Sequence, residues 1–290
     1  MYDICCIGHI TLDKVVRPGS VIEMPGGTAY YFSNALRHMD LRYLLVTAIA
    51  GKEIRFVEQL ESRGIEVKAF ASELTVCFEN IYQEQLDRRV QKVWQRSAAF
   101  TIQQLADVHA AIFHLGPLLA DDIPPGLIRE LAVKGIVSLD VQGYLREVRD
   151  SDVHAIDWPL KKEILPYIDI LKANEEEMQV LTGESEIRRG AAVLAGWGVK
   201  EVIITKGSKG SLILFNGIFH EIPAYSKGPA IDATGCGDTY MAGYLYQRAK
   251  GALPQRAGEF GAAMAGLKVG TSGPFAGGKD EVMELLGWSK

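Results

Sequence analysis

The chain holds only four cysteines in 290 residues, and none stands at a spacing suited to zinc or to a disulfide framework. Cys5 and Cys6 are adjacent within an apolar run and read as buried thiols, the form expected in a reducing compartment. The sequence has no G-x-x-x-x-G-K-[ST] loop, which disfavours a nucleotide site of that type. No apolar stretch approaches the ~18–20 residues that a membrane-spanning helix needs. The opening MYDICCIGHI lacks the positive start of a secretory leader, so the expectation is a cytoplasmic protein with no membrane partner. Basic clusters are also missing. Lys and Arg are scattered among acids in a chain of net charge −5, leaving no footprint for nucleic acid or an anionic membrane. Internal repeats and low-complexity linkers are absent.

What is present is a hydrophobic content of 48%, enough for a substantial core. Short apolar runs alternate with segments of helical period. Strands are predicted at Ile4–Ile7, Leu44–Ile49, Ala110–Leu115, Ile136–Asp140, Ile168–Lys172 and Val202–Thr205, each near-continuously apolar, as in parallel strands covered on both faces. Helices are predicted at Thr28–Met39, Glu53–Arg63, Pro125–Lys134, Glu175–Leu181 and Glu186–Trp197, with three more after Thr239. SLILFNGIFHEI reads as a hairpin turning at Asn216-Gly217. This alternation predicts one α/β domain over residues 1–290, a doubly wound, mostly parallel sheet with helices on both faces. Two stretches, about 10–26 and 75–97, break the rhythm with extended polar/apolar alternation and a turn near Gln85–Arg88. They are expected to form a small β lid beside the main sheet, the plainer alternative being a β decoration without function.

The strongest local signal is DATGCGDTYMAGYL, Asp232 to Leu245. Gly235, Cys236 and Gly237 lead into a helical pattern that begins near Asp238. Small residues let successive N–H groups converge, and a helix N-terminus adds positive potential, a combination that binds anions. A carboxylate at the same place can accept a proton from a hydroxyl lying beside that anion. Equally, an aspartate after glycine at a helix start is an ordinary N-cap.

The segment DATGCGD resembles the D-T-x-G-A-G-D signature of the ribokinase-like (PfkB) carbohydrate kinases, departing from it at Ala233 and Cys236. The resemblance implies Asp238 as catalytic base and the amides of Gly235, Cys236 and Gly237 as an anion hole. KANEEEMQVLTG is similar to the family's N-x-x-E segment and places Asn174 and Glu177 at a magnesium ion, held through water; an N-cap with acids in its first turn is the bland reading. VIITKGSKGSL resembles the family's T-x-G-x-x-G segment, which implies Thr205, Gly207 and Gly210 along the nucleotide; a glycine turn between strands is the bland reading. GHITLD and the diglycine Gly26-Gly27 resemble the family's acceptor side, which implies that Asp13 contacts substrate hydroxyls and the diglycine backbone the sugar; a turn residue and a plain loop are the bland readings. These motifs fall in the family's order and span essentially the whole chain. The implied activity is ATP-dependent phosphoryl transfer to a hydroxyl, with Mg2+, and with the adenine near the Thr271–Gly278 loop. The family likeness also allows a monovalent cation near the Asp232 loop and a homodimer through the lid.

The acceptor side departs from a ribose site. Thr28 and Tyr31 stand where typical ribokinases carry Lys and Asn after the diglycine, and Gly116 falls where an acidic sugar contact is expected. Asp140, Val141, Gln142 and Gly143 resemble a D-V-Q-G stretch of the inositol-kinase-like branch, which implies a small polyol or sugar with Tyr31 and Gln142 beside it. A strand-end turn touching no ligand is the alternative for Asp140 and Gln142. Arg88 and Arg89 on the lid are placed either at an anionic acceptor or on a solvated tip. Two rival functions are a nucleoside kinase of the same family and a catalytically silent sugar or nucleotide sensor. A dinucleotide enzyme is disfavoured because GHITLD is not a G-x-G-x-x-G turn. Cys236 stands at a helix start, where a thiol's pKa can fall, and the sequence leaves its sensitivity to oxidation open.

Overall fold

Cys5 and Cys6 are neighbours in sequence yet lie in different cores, Cys6 with Ile4 on one side of a sheet and Cys5 with Ile7 on the other. The two-residue period of a strand dictates this, and it explains why the first strand reads as an unbroken apolar run. All four cysteines are free thiols. The computed structural model describes residues 1–17, 19–82 and 89–288.

The chain opens with β1 (Tyr2–Gly8), β2 (Thr11–Arg17) and β3 (Ser20–Gly26), followed by α1 (Gly27–Leu36). Next come β4 (Tyr43–Ile49), α2 (Arg55–Glu61), β5 (Glu66–Ala71), β6 (Cys77–Tyr82) and β7 (Arg89–Gln95). The middle carries β8 (Ala110–Gly116), α3 (Pro125–Ala132), β9 (Ile136–Asp140) and the short strands β10 (Arg146–Arg149) and β11 (Asp152–Ala155). After α4 (Lys161–Ile164) follow β12 (Ile170–Asn174), α5 (Glu175–Thr182), α6 (Ile187–Gly196) and β13 (Glu201–Thr205). The hairpin β14 (Ser211–Phe215) and β15 (Ile218–Ile222) precedes α7 (Cys236–Ala249), α8 (Pro254–Val269) and α9 (Lys279–Leu286).

A nine-stranded sheet has the order β15-β14-β13-β12-β9-β8-β1-β4-β5. From β5 to β13 every pairing is parallel, and β14 and β15 extend the edge antiparallel. Their turn is the expected Asn216-Gly217, both residues having positive φ. One face is covered by α1, α7 and α8 through Phe32, Tyr244 and Phe260, the other by α3, α5 and α6 through Ile128, Met178 and Leu194. The α/β fold with helices on both faces is therefore as the sequence predicts. The edge strand β5 was not anticipated, because its half-exposed EVKAFA shows neither a continuous apolar run nor regular alternation.

The second sheet has six strands in the order β10-β11-β7-β6-β2-β3. Both extended stretches contribute to it, and so does a third piece absent from the sequence reading, the hairpin β10–β11. That hairpin turns at Asp150 and Ser151, which both adopt positive φ without glycine. Phe78 and Val93 pack this sheet onto Leu118 and Leu119, just past the end of β8. The turn expected at Gln85–Arg88 lies outside the described residues, and Arg89 opens β7 opposite Tyr82. Among the described residues no helix is long and apolar enough to cross a membrane.

Candidate active site

The C-terminal ends of the parallel strands gather most of the residues singled out above. Asn174 ends β12 and Thr205 ends β13, and the two are register partners. Asn174 caps α5 in a reciprocal capping box. Its side chain accepts from the Glu177 N–H at 2.8 Å, and the Glu177 carboxylate accepts from the Asn174 N–H at 2.7 Å. Thr205 lies beside it, its hydroxyl donating to the Ala173 carbonyl at 3.4 Å. Gly207 and Gly210 follow in the turn between β13 and β14, at positive φ.

Gly235 is the N-cap of α7, with φ of +73°, and any Cβ there would run into the ring of Tyr31. Glycine is thus demanded twice, by the backbone and by the ring beneath it. Tyr31 is only 3% exposed, so its ring supports the loop more than it faces an open cleft. The N–H of Cys236, expected in the anion hole, donates to the Ala233 carbonyl at 3.2 Å. The N–H groups of Gly237 and Asp238 meet no backbone carbonyl of the described residues and remain the first-turn donors. Burial pushes the Cys236 thiol up to about 11, against the pull of Lys268.

Asp238 sits in this first turn, half-buried. Burial, then the nearby Asp140 carboxylate, push it up to about 6, while Lys172 and a hydrogen bond from the Thr28 hydroxyl act the other way. Lys172 rises through β12 beneath the helix start; its Nζ would lie 3.4 Å from a Cβ on Gly237. It donates to Asp140 at 2.9 Å and stands 3.9 Å from Glu177. Burial opposes the Lys172 charge, but these two carboxylates outweigh it and raise its affinity for the proton. Glu177 is itself raised by burial, against the pull of Lys172. Asp140, at the end of β9, accepts from the Gln142 N–H at 3.1 Å, and Gln142 is half-buried in the turn that follows.

On the acceptor side, Asp13 accepts from the Thr11 hydroxyl at 2.6 Å, and its carboxylate lies where a Cβ on Gly26 would be. Gly26 and Gly27 join the second sheet to α1, whose first turn presents Thr28 to Asp238. Gly116 cannot carry a side chain because the Thr28 methyl fills that space. A cavity of about 490 Å³ opens beyond the Asp232 loop, lined by Pro229, Ile231, Thr271, Phe275 and Gly277 among others.

The sequence reading missed Lys172 and Arg146, whose charge acts on both Glu177 and Asp238. For Lys172 a signal existed: a lysine inside a strand covered on both faces must have a charged partner.

The pfkB family carbohydrate kinase model matches residues 3–279. The chain belongs to this family of carbohydrate kinases. A cytidine kinase of Thermococcus kodakarensis is 29% identical over 265 residues, 87% of this chain and 90% of that protein. Among solved structures, a pyrophosphate-dependent kinase in the ribokinase family, complexed with a pyrophosphate analogue and myo-inositol, superposes with TM-score 0.87 and 26% identity, covering 97% of this chain and 99% of its own. Arabidopsis thaliana ribokinase complexed with ribose and ATP shares the fold, with TM-score 0.82 and 22% identity over 99% of both chains.

Proposed function

We propose that this kinase transfers the terminal phosphoryl group of ATP to a hydroxyl of a small polyol or sugar, inositol-like in class, with Asp238 as the general base. The observation that carries the reading is the place of Asp238: a half-buried carboxylate at a helix start, beside the first-turn N–H donors of α7 and pushed up to about 6. A base with that affinity is mostly ionised at neutral pH yet takes a proton readily. As the acceptor oxygen attacks in line, its proton passes to Asp238, and the amides of Gly237 and Asp238 offset charge on the transferring group. Lys172, held between Asp140 and Glu177, keeps positive charge beneath the same spot.

Among the described residues no group of three His, Cys, Asp or Glu is set to hold a metal. Mg2+ keeps several waters and needs only one or two carboxylates, so a water-mediated ion at Glu177, with Asn174 beside it, fits this donor set. When bound it would offset negative charge on the donor phosphates.

ATP is preferred over pyrophosphate as donor because the cavity by the Thr271–Gly278 loop has apolar walls, Ile231 and Phe275, and room for a base. On the acceptor side, Asp13, Gly26, Gly27 and the D-V-Q-G turn with Gln142 favour a small hydroxylated ring. Likeness to a cytidine kinase over most of both chains favours a second reading, a nucleoside acceptor. The test is ADP release, and phosphate release from pyrophosphate, across polyols, pentoses, hexoses and nucleosides. Acceptor-dependent ADP release that Asp238→Asn abolishes is expected. Turnover with nucleosides alone would select the second reading. Tight ATP binding without turnover on any acceptor would instead favour a sensor.

A further inference from the structure

Lys268, the penultimate residue of α8, is wholly buried at 0% exposure, and oxygen surrounds its ammonium. It donates to the Asp232 carbonyl at 2.7 Å, to the Asp232 carboxylate at 3.1 Å and to the Thr271 carbonyl at 3.4 Å. An ammonium has three donors, and three acceptors are present. The remaining carboxylate contacts also come from this neighbourhood: Thr234 N–H donates to Asp232 at 2.9 Å and Gly273 N–H at 3.3 Å. The N–H groups of Ile231 and Asp232 both donate to the Val269 carbonyl, at 2.8 and 3.1 Å.

A set of two carbonyls and a carboxylate around one buried positive charge is the environment of a bound monovalent cation. The family likeness implied such a cation near the Asp232 loop, but the residues here do not fit one, because Lys268 Nζ already takes those oxygens. We infer that Lys268 is a tethered replacement for a monovalent cation, locking the loop that leads into Gly235 to the loop at Thr271 and freeing the enzyme from any need for potassium. Both loops border the donor side: the first runs Asp232, Ala233, Thr234 into the start of α7, and Thr271 lines the cavity. Lys268 is therefore a positioning residue for the phosphoryl donor. The inference rests on the phosphoryl-transfer reading, but the cation site can be tested without turnover.

Wild-type enzyme is placed in tetramethylammonium chloride or in potassium chloride of equal ionic strength. Its thermal midpoint and its rate should agree between the two, the rate within about twofold. Activation by potassium beyond that overturns the inference, whether or not any variant folds. In Lys268→Ala the emptied oxygens should accept K+ or NH4+, so those salts raise its thermal midpoint by mass action while tetramethylammonium does not. The same salts should restore the variant's donor KM with less effect on kcat. A Lys268→Ala protein whose midpoint is equal in all three salts also overturns the inference. Because the midpoint needs no acceptor, a failure of the kinase reading is distinguishable from a failure of this one.

Discussion

Lys172 and Asp140 form an ion pair at 2.9 Å with both side chains almost wholly covered, 7% and 5% exposed. Glu177 completes a triad in which one cation balances two carboxylates. Removing the cation takes away the nearest counter-charge of both covered carboxylates. Lys172→Met is expected to lower the free energy of unfolding by about 3–5 kcal/mol, measured by urea denaturation at pH 7.5. A loss below about 1 kcal/mol would show that solvent reaches the triad and screens it.

The protonation of Asp238 sets the acid side of the rate profile. Because the base must be ionised, kcat/KM should fall tenfold per unit below about pH 6, where burial and Asp140 have pushed its carboxyl. Asp140→Asn removes a neighbouring negative charge and should move this limb to lower pH. Initial rates between pH 4.5 and 8 check both statements, and a limb unmoved in the variant would remove Asp140 as a cause.

Turnover and stability should move in opposite directions at Asp238. The folded-state value of about 6 stands above the ordinary 3.8, so the carboxyl contributes stability below about pH 4 and loses it as pH rises through 6. At pH 8 the ionised, desolvated group is a net cost. Asp238→Asn should therefore reduce kcat by roughly 10²–10⁴ while raising stability at pH 8 by about 1–3 kcal/mol. The stability gain should vanish near pH 4. Thermal unfolding at the two pH values, with ATP binding by calorimetry, reads the outcome; a variant less stable at pH 8 would contradict the assignment of charge.

Gly235 has to be glycine on two grounds, its positive φ and the ring of Tyr31. Gly235→Ala is expected to cost about 1–3 kcal/mol of stability and to displace the start of α7. Tyr31→Phe, which keeps the ring, should leave the loop intact. Donor affinity measured in both variants separates the loop's geometry from the tyrosine hydroxyl.

Much of this fold was legible because the strands at its centre, such as those holding Cys5 and Cys6 or Val202–Thr205, are apolar on both faces and bounded by glycines and caps. Asn216-Gly217 announced its hairpin outright. The equivalent turn at Asp150–Ser151 did not, because it lacks the glycine of an Asn-Gly or Asp-Gly pair and the strands beside it are only four residues long. Asn174 and Glu177 were found through the resemblance to the family's N-x-x-E segment, and the structure adds that they satisfy each other. The hydrogen bond from Thr28 to Asp238 was not legible, since it joins residues over two hundred positions apart. Lys172 was legible in kind only: a lysine in a buried strand demands a partner, but only the fold names Asp140.

The second sheet is assembled from three lengths of chain, Thr11–Gly26, Cys77–Gln95 and Arg146–Ala155, and its β2–β6 contact is parallel. No single excision removes it, and no single cassette transplants it. Exchanging this sheet with a relative's therefore means recombining all three segments at once, since the middle one pairs with both of the others. A chimera that swaps an outer segment alone would mismatch one strand boundary, and one that swaps the middle segment would mismatch two, before any substrate arrived.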